Sequence, residues 1–187
     1  MDSFIEISVL ADLECSSTTL MNTLFSKLHR ALVEYGKGEI GVSFPDVGKK
    51  GRSLGERLRL HGRKESLGIL MSSDWMKGMK DYTDITEIQE VPAGAKARIV
   101  RRIQAKSSPE RQRRRLISRK GISPEQAIQA IPDSATERLK LPYLVLASQS
   151  TGQQFRLFIE HLAVQDQKVE GKFSSYGLSP IATIPWF

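Results

Sequence analysis

The stretch "IEISVLADLECSSTTLMNTLFSKLHRALVEYG" at residues 5–36 contains the two clearest secondary-structure signals of the chain. Its first part alternates apolar and polar residues, which is typical of a strand with one buried face. The alternating apolar residues are Ile5, Ile7 and Val9. Ser16 or Ser17 can then cap a helix whose apolar residues recur every three or four positions, and Gly36 ends it. The fold therefore begins with a strand and an amphipathic helix.

Four further elements follow before residue 95. The segments "EIGVSF" at 39–44, ended by Pro45, and "ERLRLHG" at 56–62 read as strands. A weaker helix near 64–73 and a strand near 85–91 complete the order βαββαβ, which predicts a ferredoxin-like domain. The small residues of "PAGAKA" after this strand resemble a linker. We therefore predict an N-terminal ferredoxin-like domain over 1–94 and a C-terminal α+β domain over 95–187.

The C-terminal half opens with "ARIVRRIQAK" at 97–106, which the period of two predicts as a strand. That period places Arg102, Gln104 and Lys106 on one side of it. Ser107 and Glu110 have the spacing of a capping box, so a helix is expected from there to about residue 120. "SPEQ" begins a second helix, and strands are predicted for the segments "LPYLVLAS", "QFRLFIEH" and "KFSSYGLS".

Positive charge is concentrated at residues 101–120, "RRIQAKSSPERQRRRLISRK", which hold nine Lys or Arg side chains against one carboxylate. The whole chain has 28 basic and 21 acidic residues, so 19 basic and 20 acidic ones lie outside this stretch. At 100° per residue, one face of the predicted helix spans about 140°. This face consists of Arg111, Arg114, Arg115, Ser118 and Arg119. Such crowded like charges destabilise an isolated helix, so a polyanionic partner is expected.

Four interpretations of this basic helix are open to the sequence: a solvated face, a membrane surface, a DNA reader and an RNA binder. A solvated helix face is usual for charge runs, but it needs neighbouring acids that this stretch does not have. An anionic membrane needs an apolar stripe beside the basic one, and Leu116 with Ile117 does not make one. No helix-turn-helix or zinc-finger pattern accompanies the helix, which disfavours a DNA reader. An RNA hairpin fits better, since Arg102 can bond guanine and Gln104 can bond adenine while the helix holds phosphates.

Composition excludes several other classes of protein. No run approaches the roughly 20 apolar residues of a membrane span, and the N-terminus does not read as a signal peptide, so a cytoplasmic protein without a membrane partner is expected. The single cysteine, Cys15, excludes an internal disulfide. The three histidines are scattered at His29, His61 and His161 without metal-ligand spacing. Chemistry without a metal or another cofactor is therefore expected.

Several segments also resemble one known family, the CRISPR-associated repeat endoribonucleases of type I-F systems, the Csy-family processing enzymes. The resemblance lies in "IGVSFP", "LGERLRLH", "RIQAKSSPERQRRRL", "LASQSTGQQFRLFI", "YGLS" and the final "PWF". It implies a protein that binds the stem-loop of a CRISPR repeat transcript and cuts at the 3′ base of the stem. It also implies that the mature guide RNA stays bound and enters a surveillance complex with other subunits. The chain departs from the family at Ser118, where this helix is commonly basic.

The resemblance assigns roles to individual residues. The position of His29 alone favours a partly buried structural histidine, but the residue coincides with the family's catalytic histidine, and the resemblance reverses that interpretation. Ser148 is expected to hold the ribose and its 2′-oxygen, and Tyr176 to orient His29 through its hydroxyl or to pack in the core. The segment "SQSTGQQF" at 148–155 reads as a hairpin with Gly152 in its turn, and by this pattern alone its hydroxyls would merely be solvated. The resemblance assigns the remaining expected RNA contacts to it. These are Gln149 near a base pair, Ser150 and Thr151 on the scissile phosphate, and Phe155 under the last base pair.

RNA carries its own nucleophile, the 2′-hydroxyl, so a metal-free ribonuclease needs mainly a base and correct alignment. Imidazole titrates near neutral pH and suits that work. The leading hypothesis is thus a metal-independent endoribonuclease that leaves a 2′,3′-cyclic phosphate and a 5′-hydroxyl. A catalytically silent RNA-hairpin binder of the same fold and a DNA-binding regulator are the alternatives.

Overall fold

The N-terminal strand and helix form where the sequence predicts them. A computed structural model of the chain describes residues 1–49, 51–104, 109–132, 139–148 and 151–187. Strand β1 spans Ser3–Val9 and helix α1 spans Ser17–Tyr35. The Ser16 hydroxyl accepts a hydrogen bond from the backbone N–H of Thr19, and Gly36 ends the helix. The capping and periodicity signals are therefore confirmed.

The described residues of the first half of the chain form five strands and, besides α1, one further α-helix. Its strands after β1 are β2 (Gly41–Ser43), β3 (Arg57–Gly62), β4 (Thr83–Ile85) and β5 (Gln89–Glu90). Helix α2 (Lys64–Ser72) follows β3, and two 3₁₀ turns, Asp74–Met76 and Lys80–Tyr82, lead to β4. The sheet order is β2-β3-β1-β4, with β5 also paired to β1, and every pairing is antiparallel.

The single strand predicted near 85–91 is wrong, because β4 and β5 are two short strands on opposite ends of β1. The break falls at Thr86. Its hydroxyl accepts the backbone N–H of Glu6, and its own N–H donates to the Glu6 carbonyl, each at 3.0 Å. A side chain thus replaces a main-chain acceptor at this point, which interrupts the regular ladder of hydrogen bonds.

The second sheet is built from the C-terminal half. Its strands are β6 (Lys96–Ile103), β7 (Tyr143–Ala147), β8 (Gln154–His161) and β9 (Thr183–Trp186). They lie in the order β7-β8-β6-β9, all antiparallel. Strand β9 was not predicted from the sequence. Its Pro185 argues against a strand interior, but a proline is tolerated here because β9 lies at the edge of the sheet.

The strand predicted for "KFSSYGLS" at 172–179 is wrong, since this segment is a loop. Within the segment, the Ser174 N–H donates to the Leu178 carbonyl and the Gly177 N–H donates to the Ser174 carbonyl. Gly177 has a φ of 68°, a left-handed conformation that a strand does not contain. The aromatic and apolar residues of this segment resemble a strand pattern, but the positive φ of Gly177 turns the backbone out of an extended conformation.

One hydrophobic core lies beneath both sheets. Buried side chains of α1, such as Leu24 and Leu28, belong to the same cluster as Ile5 of the first sheet and Leu157 of the second. The Asn22 side-chain oxygen of α1 accepts the backbone N–H of Val145 in β7 at 3.0 Å. Met1–Ile103 and Leu141–Phe187 form one compact unit, so α1 is fixed to β7 within it.

Gln104–Lys140 form a second unit. It contains α3 (Pro109–Lys120) and α4 (Pro124–Ala130). A capping box formed by Ser123 and Gln126 begins α4 at its N-terminus. Over the described residues the fold is thus mixed α+β, with two antiparallel sheets and four α-helices, and this class is confirmed. The predicted division into 1–94 and 95–187 stays a prediction. None of these helices is long and apolar enough to cross a bilayer.

Candidate active site

His29 lies on the fourth turn of α1 and is half-buried. Its Nδ1 atom is 2.8 Å from the backbone carbonyl oxygen of Ser175. A carbonyl oxygen can only accept a hydrogen bond, so Nδ1 carries the proton in the neutral ring. The lone pair is therefore on Nε2, which makes this nitrogen a proton acceptor.

Tyr176 covers one face of the same imidazole. The two rings are parallel within 6° and their centroids are 4.1 Å apart. His29 is thus held at its edge by the Ser175 carbonyl and on its face by the tyrosine ring. The expected orienting bond from the Tyr176 hydroxyl is not among the contacts of the described residues, where ring stacking is what joins the pair.

The loop that carries Ser175 and Tyr176 is fixed by Gly177. The Gly177 carbonyl accepts the backbone N–H of Val42 in β2 at 2.8 Å. A Cβ atom on Gly177 would lie 2.3 Å from Cγ2 of Val42, so only glycine fits there. The hydrogen bond from Val42 to Gly177 therefore fixes the position of the Ser175 carbonyl beside His29. Sequence reasoning missed Ser175, because a carbonyl acceptor has no residue-type signature; the glycine after Tyr176 was the available signal.

Arg102 bridges two aromatic side chains at the end of β6. Its guanidinium carbon is 5.4 Å from the ring centroid of Tyr176 and 6.0 Å from that of Phe155. Phe155 lies on β8 and is half-buried against the core. Cations over aromatic faces at these distances are attracted by the ring quadrupole. The exposed Arg102 side chain therefore sits directly beside the ring that supports His29.

Ser148 begins the turn between β7 and β8. Its N–H donates to the Gln153 carbonyl at 2.9 Å, and its carbonyl accepts the N–H of Gly152 at 2.8 Å. Gly152 has a φ of 66°, so the predicted hairpin with this glycine in its turn is confirmed. The Thr151 hydroxyl accepts the N–H of Gln153 at 3.4 Å. Gln149 and Ser150, the other expected contacts here, lie outside the described residues.

A continuous series of contacts joins the predicted site residues of the larger unit. His29 stacks on Tyr176, and Tyr176 lies under Arg102. Arg102 also lies over Phe155, which pairs across the sheet with Leu146, two residues before Ser148. The structure thus brings His29, the aromatic residues and the hydroxyl-bearing hairpin to one region.

The basic helix α3 belongs to the second unit and presents one exposed face. The exposed residues of that face are Arg111, Arg114, Arg115, Ser118 and Arg119. They are the residues that the 100° spacing places together, so the predicted face is confirmed. Gln104 directly follows β6 and is exposed. Lys106, also expected to contact RNA, lies outside the described residues.

The other two histidines are structural. His61 is fully buried and its Nε2 is 2.8 Å from the Ser43 hydroxyl. His161 accepts the backbone N–H of Phe44 on Nε2 at 3.2 Å, and burial beside Arg98 lowers its pKa to about 3. Burial likewise lowers the pKa of His61. No group of three or more His, Cys, Asp or Glu residues in the described part of the chain could hold a metal ion.

Comparisons with known proteins agree on one family. The family model described as "CRISPR-associated protein (Cas_Csy4)" matches residues 4–187. The "CRISPR-associated endonuclease Cas6/Csy4" of Pseudomonas aeruginosa (strain UCBPP-PA14) is 46% identical over 187 residues, which is all of both chains. The protein of the same name from Escherichia coli (strain UTI89 / UPEC) is 47% identical, again over 187 residues and the full length of both.

Proposed function

The chain belongs to the Cas_Csy4 family of CRISPR-associated proteins, and from this membership and the site geometry we propose a metal-independent, sequence- and structure-specific endoribonuclease. Its substrate is the CRISPR repeat transcript, cut at the 3′ base of the repeat stem-loop. The product is mature guide RNA, which remains bound. One observation carries the proposal: the Ser175 carbonyl, 2.8 Å from Nδ1, leaves Nε2 of His29 as a proton acceptor.

The reaction needs no group that the RNA and His29 do not supply. Nε2 of His29 takes the proton of the 2′-hydroxyl upstream of the scissile phosphate. The resulting 2′-oxygen attacks phosphorus and the bond from phosphorus to the 5′-oxygen breaks. The protonated imidazole of His29 gives its proton to the leaving 5′-oxygen, so that the ring ends neutral as it began. The ends are a 2′,3′-cyclic phosphate and a 5′-hydroxyl. A divalent ion is unnecessary, because the nucleophile is internal to the substrate.

Alignment of the attack falls to the hairpin between β7 and β8. Ser148 holds the ribose so that the 2′-oxygen of the ribose is in line with the leaving 5′-oxygen. An uncharged hydroxyl can accelerate the step in this way because it orients the attacking group. Ser150 and Thr151 contact the scissile phosphate, and Gln149 contacts the adjacent base pair. Phe155 stacks under that last pair, which is supported by its partly exposed position on β8.

Recognition divides between base readers and phosphate holders. Arg102 and Gln104 read base edges at the end of β6, and Lys106 is a further RNA contact. The phosphate holders are the arginines of the exposed α3 face, Arg111, Arg114, Arg115 and Arg119. This division is supported by charge, since the exposed face of α3 carries four arginines.

We also propose the finer assignments of fold and partners. The antiparallel order β2-β3-β1-β4 with its two helices supports a ferredoxin-like N-terminal domain over 1–94 and an RNA-binding domain over 95–187. The protein binds the repeat stem-loop, retains the guide RNA, and joins other subunits of a type I-F surveillance complex in the cytoplasm.

A catalytically silent hairpin binder is the second candidate, because a stem-loop could be held by Arg102 and α3 alone. Labelled repeat RNA incubated with the protein in excess EDTA separates the two. The enzyme cuts at the 3′ base of the stem at the same rate with and without EDTA, and a phosphatase-resistant cyclic end identifies the chemistry. Binding without cutting would establish the silent binder, and a rate restored only by added Mg²⁺ would refute metal independence.

A further inference from the structure

The Ser175 carbonyl that bonds His29 belongs to a tight turn. The Gly177 N–H donates to the Ser174 carbonyl at 2.8 Å, and the Ser174 N–H donates to the Leu178 carbonyl at 2.9 Å. Gly177 follows in the left-handed conformation. These two bonds with a left-handed glycine are the pattern of a type I turn followed by a bulge. Ser175 and Tyr176 are therefore the two central residues of the turn.

The peptide group between Ser175 and Tyr176 is the part of such a turn that has two orientations. Type I and type II turns differ mainly by a rotation of this central peptide by about 180°, and both keep the bond that closes the turn. The peptide is planar and trans, so its C=O and N–H point in opposite directions. One orientation directs the Ser175 carbonyl at His29, and the other would direct the Tyr176 N–H there.

The two orientations would place the imidazole proton on different nitrogens. With the carbonyl facing the ring, as it does at 2.8 Å, Nδ1 of His29 carries the proton and Nε2 is the acceptor. With the Tyr176 N–H facing the ring, Nδ1 would accept and the proton would lie on Nε2. Nε2 could not then take a proton from a 2′-hydroxyl. The direction of one peptide group thus decides whether His29 can act as the base.

A side chain holds the other end of this peptide group. The Ser174 hydroxyl accepts the N–H of Tyr176 at 3.3 Å, while the Ser175 carbonyl of the same peptide bonds His29. Serine is favoured at the first position of a type I turn because its hydroxyl can make this bond. The Ser174 side chain is exposed, so it contributes little to the hydrophobic core.

The backbone of Tyr176 favours the same orientation. A type II turn needs a positive φ at this position, which costs an L-residue steric strain. Among the non-glycine residues that the structure describes, Lys37 is the one with a positive φ, so Tyr176 has the conformation of the type I turn. The Ser174 hydroxyl is the contact in this arrangement that a substitution can remove without touching the imidazole or its two neighbours.

We propose that Ser174 is a positioning residue whose hydroxyl holds the peptide between Ser175 and Tyr176 with its carbonyl on Nδ1 of His29. Ser174 acts through this peptide and not on the RNA. The expected effect on cleavage rests on the proposed endoribonuclease function, whereas the expected effect on the imidazole does not.

The test compares two variants of equal shape. Ser174→Thr keeps the hydroxyl, and Ser174→Val replaces it with a methyl group. In single-turnover cleavage of labelled repeat RNA at saturating protein, Ser174→Thr should cut within about twofold of the native rate. Ser174→Val should be roughly 2- to 13-fold slower, the range for loss of one neutral hydrogen bond from the positioned base. Both should bind a repeat RNA that has a 2′-deoxy nucleotide at the cut site, which prevents cleavage, as tightly as the native protein.

The tautomer of His29 provides a readout that a merely structural role would not change. The ¹⁵N chemical shifts of labelled histidine rings show which nitrogen carries the proton, at about pH 8.5 where imidazole is ordinarily neutral. Signals lost in His29→Ala identify this ring. Native protein and Ser174→Thr should have the proton on Nδ1, and Ser174→Val should shift toward Nε2. His161 is the internal reference, because its Nε2 accepts the Phe44 N–H and its signals should not move.

Ser53→Val is the matched control. The Ser53 hydroxyl accepts the N–H of Gly55 at 3.0 Å, which is the same kind of bond in another loop. This variant should change neither the cleavage rate nor the His29 signals, and an equal slowing would show a general structural effect instead.

Other results would also overturn the proposal. If Ser174→Val matched Ser174→Thr in rate and tautomer, or were slower with its tautomer unchanged, Ser174 would not hold this peptide. Weaker binding of the 2′-deoxy RNA by Ser174→Val alone would make Ser174 an RNA contact. If the native protein did not cut repeat RNA, the proposed function would fail, and the imidazole signals would still decide the role of Ser174.

Discussion

Substitution of Tyr176 separates two ways of orienting His29. The structure shows parallel rings 4.1 Å apart, so the tyrosine ring, not its hydroxyl, is the contact with the imidazole. Tyr176→Phe keeps that ring and should cut within about twofold of the native rate. Tyr176→Leu removes it. Aromatic pairs contribute about 0.5–1.5 kcal/mol beyond burial of area, which corresponds to a rate about 2- to 13-fold slower if that energy is lost from the positioned base.

The assay is single-turnover cleavage of labelled repeat RNA in EDTA with protein in large excess. Excess protein matters because Tyr176 also lies under Arg102, so its loss can weaken RNA binding as well. The dissociation constant, measured separately on the 2′-deoxy RNA, isolates that effect from the cleavage step. Tyr82→Leu serves as a control for the loss of a tyrosine elsewhere on the surface.

A specific result would refute this reasoning. If Tyr176→Phe were slowed as much as Tyr176→Leu at saturating protein, the hydroxyl would be the orienting group and the stacked arrangement would be incidental. If neither variant were slowed, the Ser175 carbonyl alone would suffice to hold the ring.

Four further predictions concern other parts of the molecule. His29→Ala should abolish cutting yet leave a tight complex, and it should not add to the effect of a 2′-deoxy substrate; cutting of that substrate by the native protein would refute the internal nucleophile. Ser148→Ala should slow single-turnover cleavage strongly with little change in the dissociation constant, whereas a large loss of affinity would make Ser148 a recognition residue. Arg102→Ala should cost about 1–3 kcal/mol of binding and relax discrimination at one base pair, while Arg115→Ala should weaken all hairpins similarly and flatten the salt dependence; the reverse pattern would contradict the division of roles. The pKa of His161 is lowered from 6.5 to about 3, so the unfolded chain binds the proton more readily and stability is lost as pH falls below 6.5. In urea unfolding, the contribution of His161 to the free energy of unfolding should fall by roughly 2 kcal/mol between pH 7 and pH 5. If the free energy of unfolding depended on pH in the same way in His161→Gln, His161 would not be the source of that dependence.

Local signals account for the parts of the molecule that were predicted correctly. The alternation in β1, the Ser16 cap and the Gly36 end of α1 depend on residues within a few positions of one another. The same is true of the basic face of α3 and of Gly152 in the hairpin turn. Such features are set by backbone geometry, side-chain periodicity and charge spacing, all of which can be read along the chain.

The sequence by itself determined the mixed α+β class, the arginine face and the residue types of the site. Only the tertiary structure decided how the His29 ring is held, because its partner, the Ser175 carbonyl, is 146 residues away along the chain and every residue type carries such a carbonyl. The loop at 172–179 and the split at Thr86 were decided in the same way. In each, a contact from a distant strand outweighed the local pattern, through Val42 on Gly177 and through Glu6 on Thr86. Backbone hydrogen bonds formed on folding are shared by every residue type, so the sequence does not mark them.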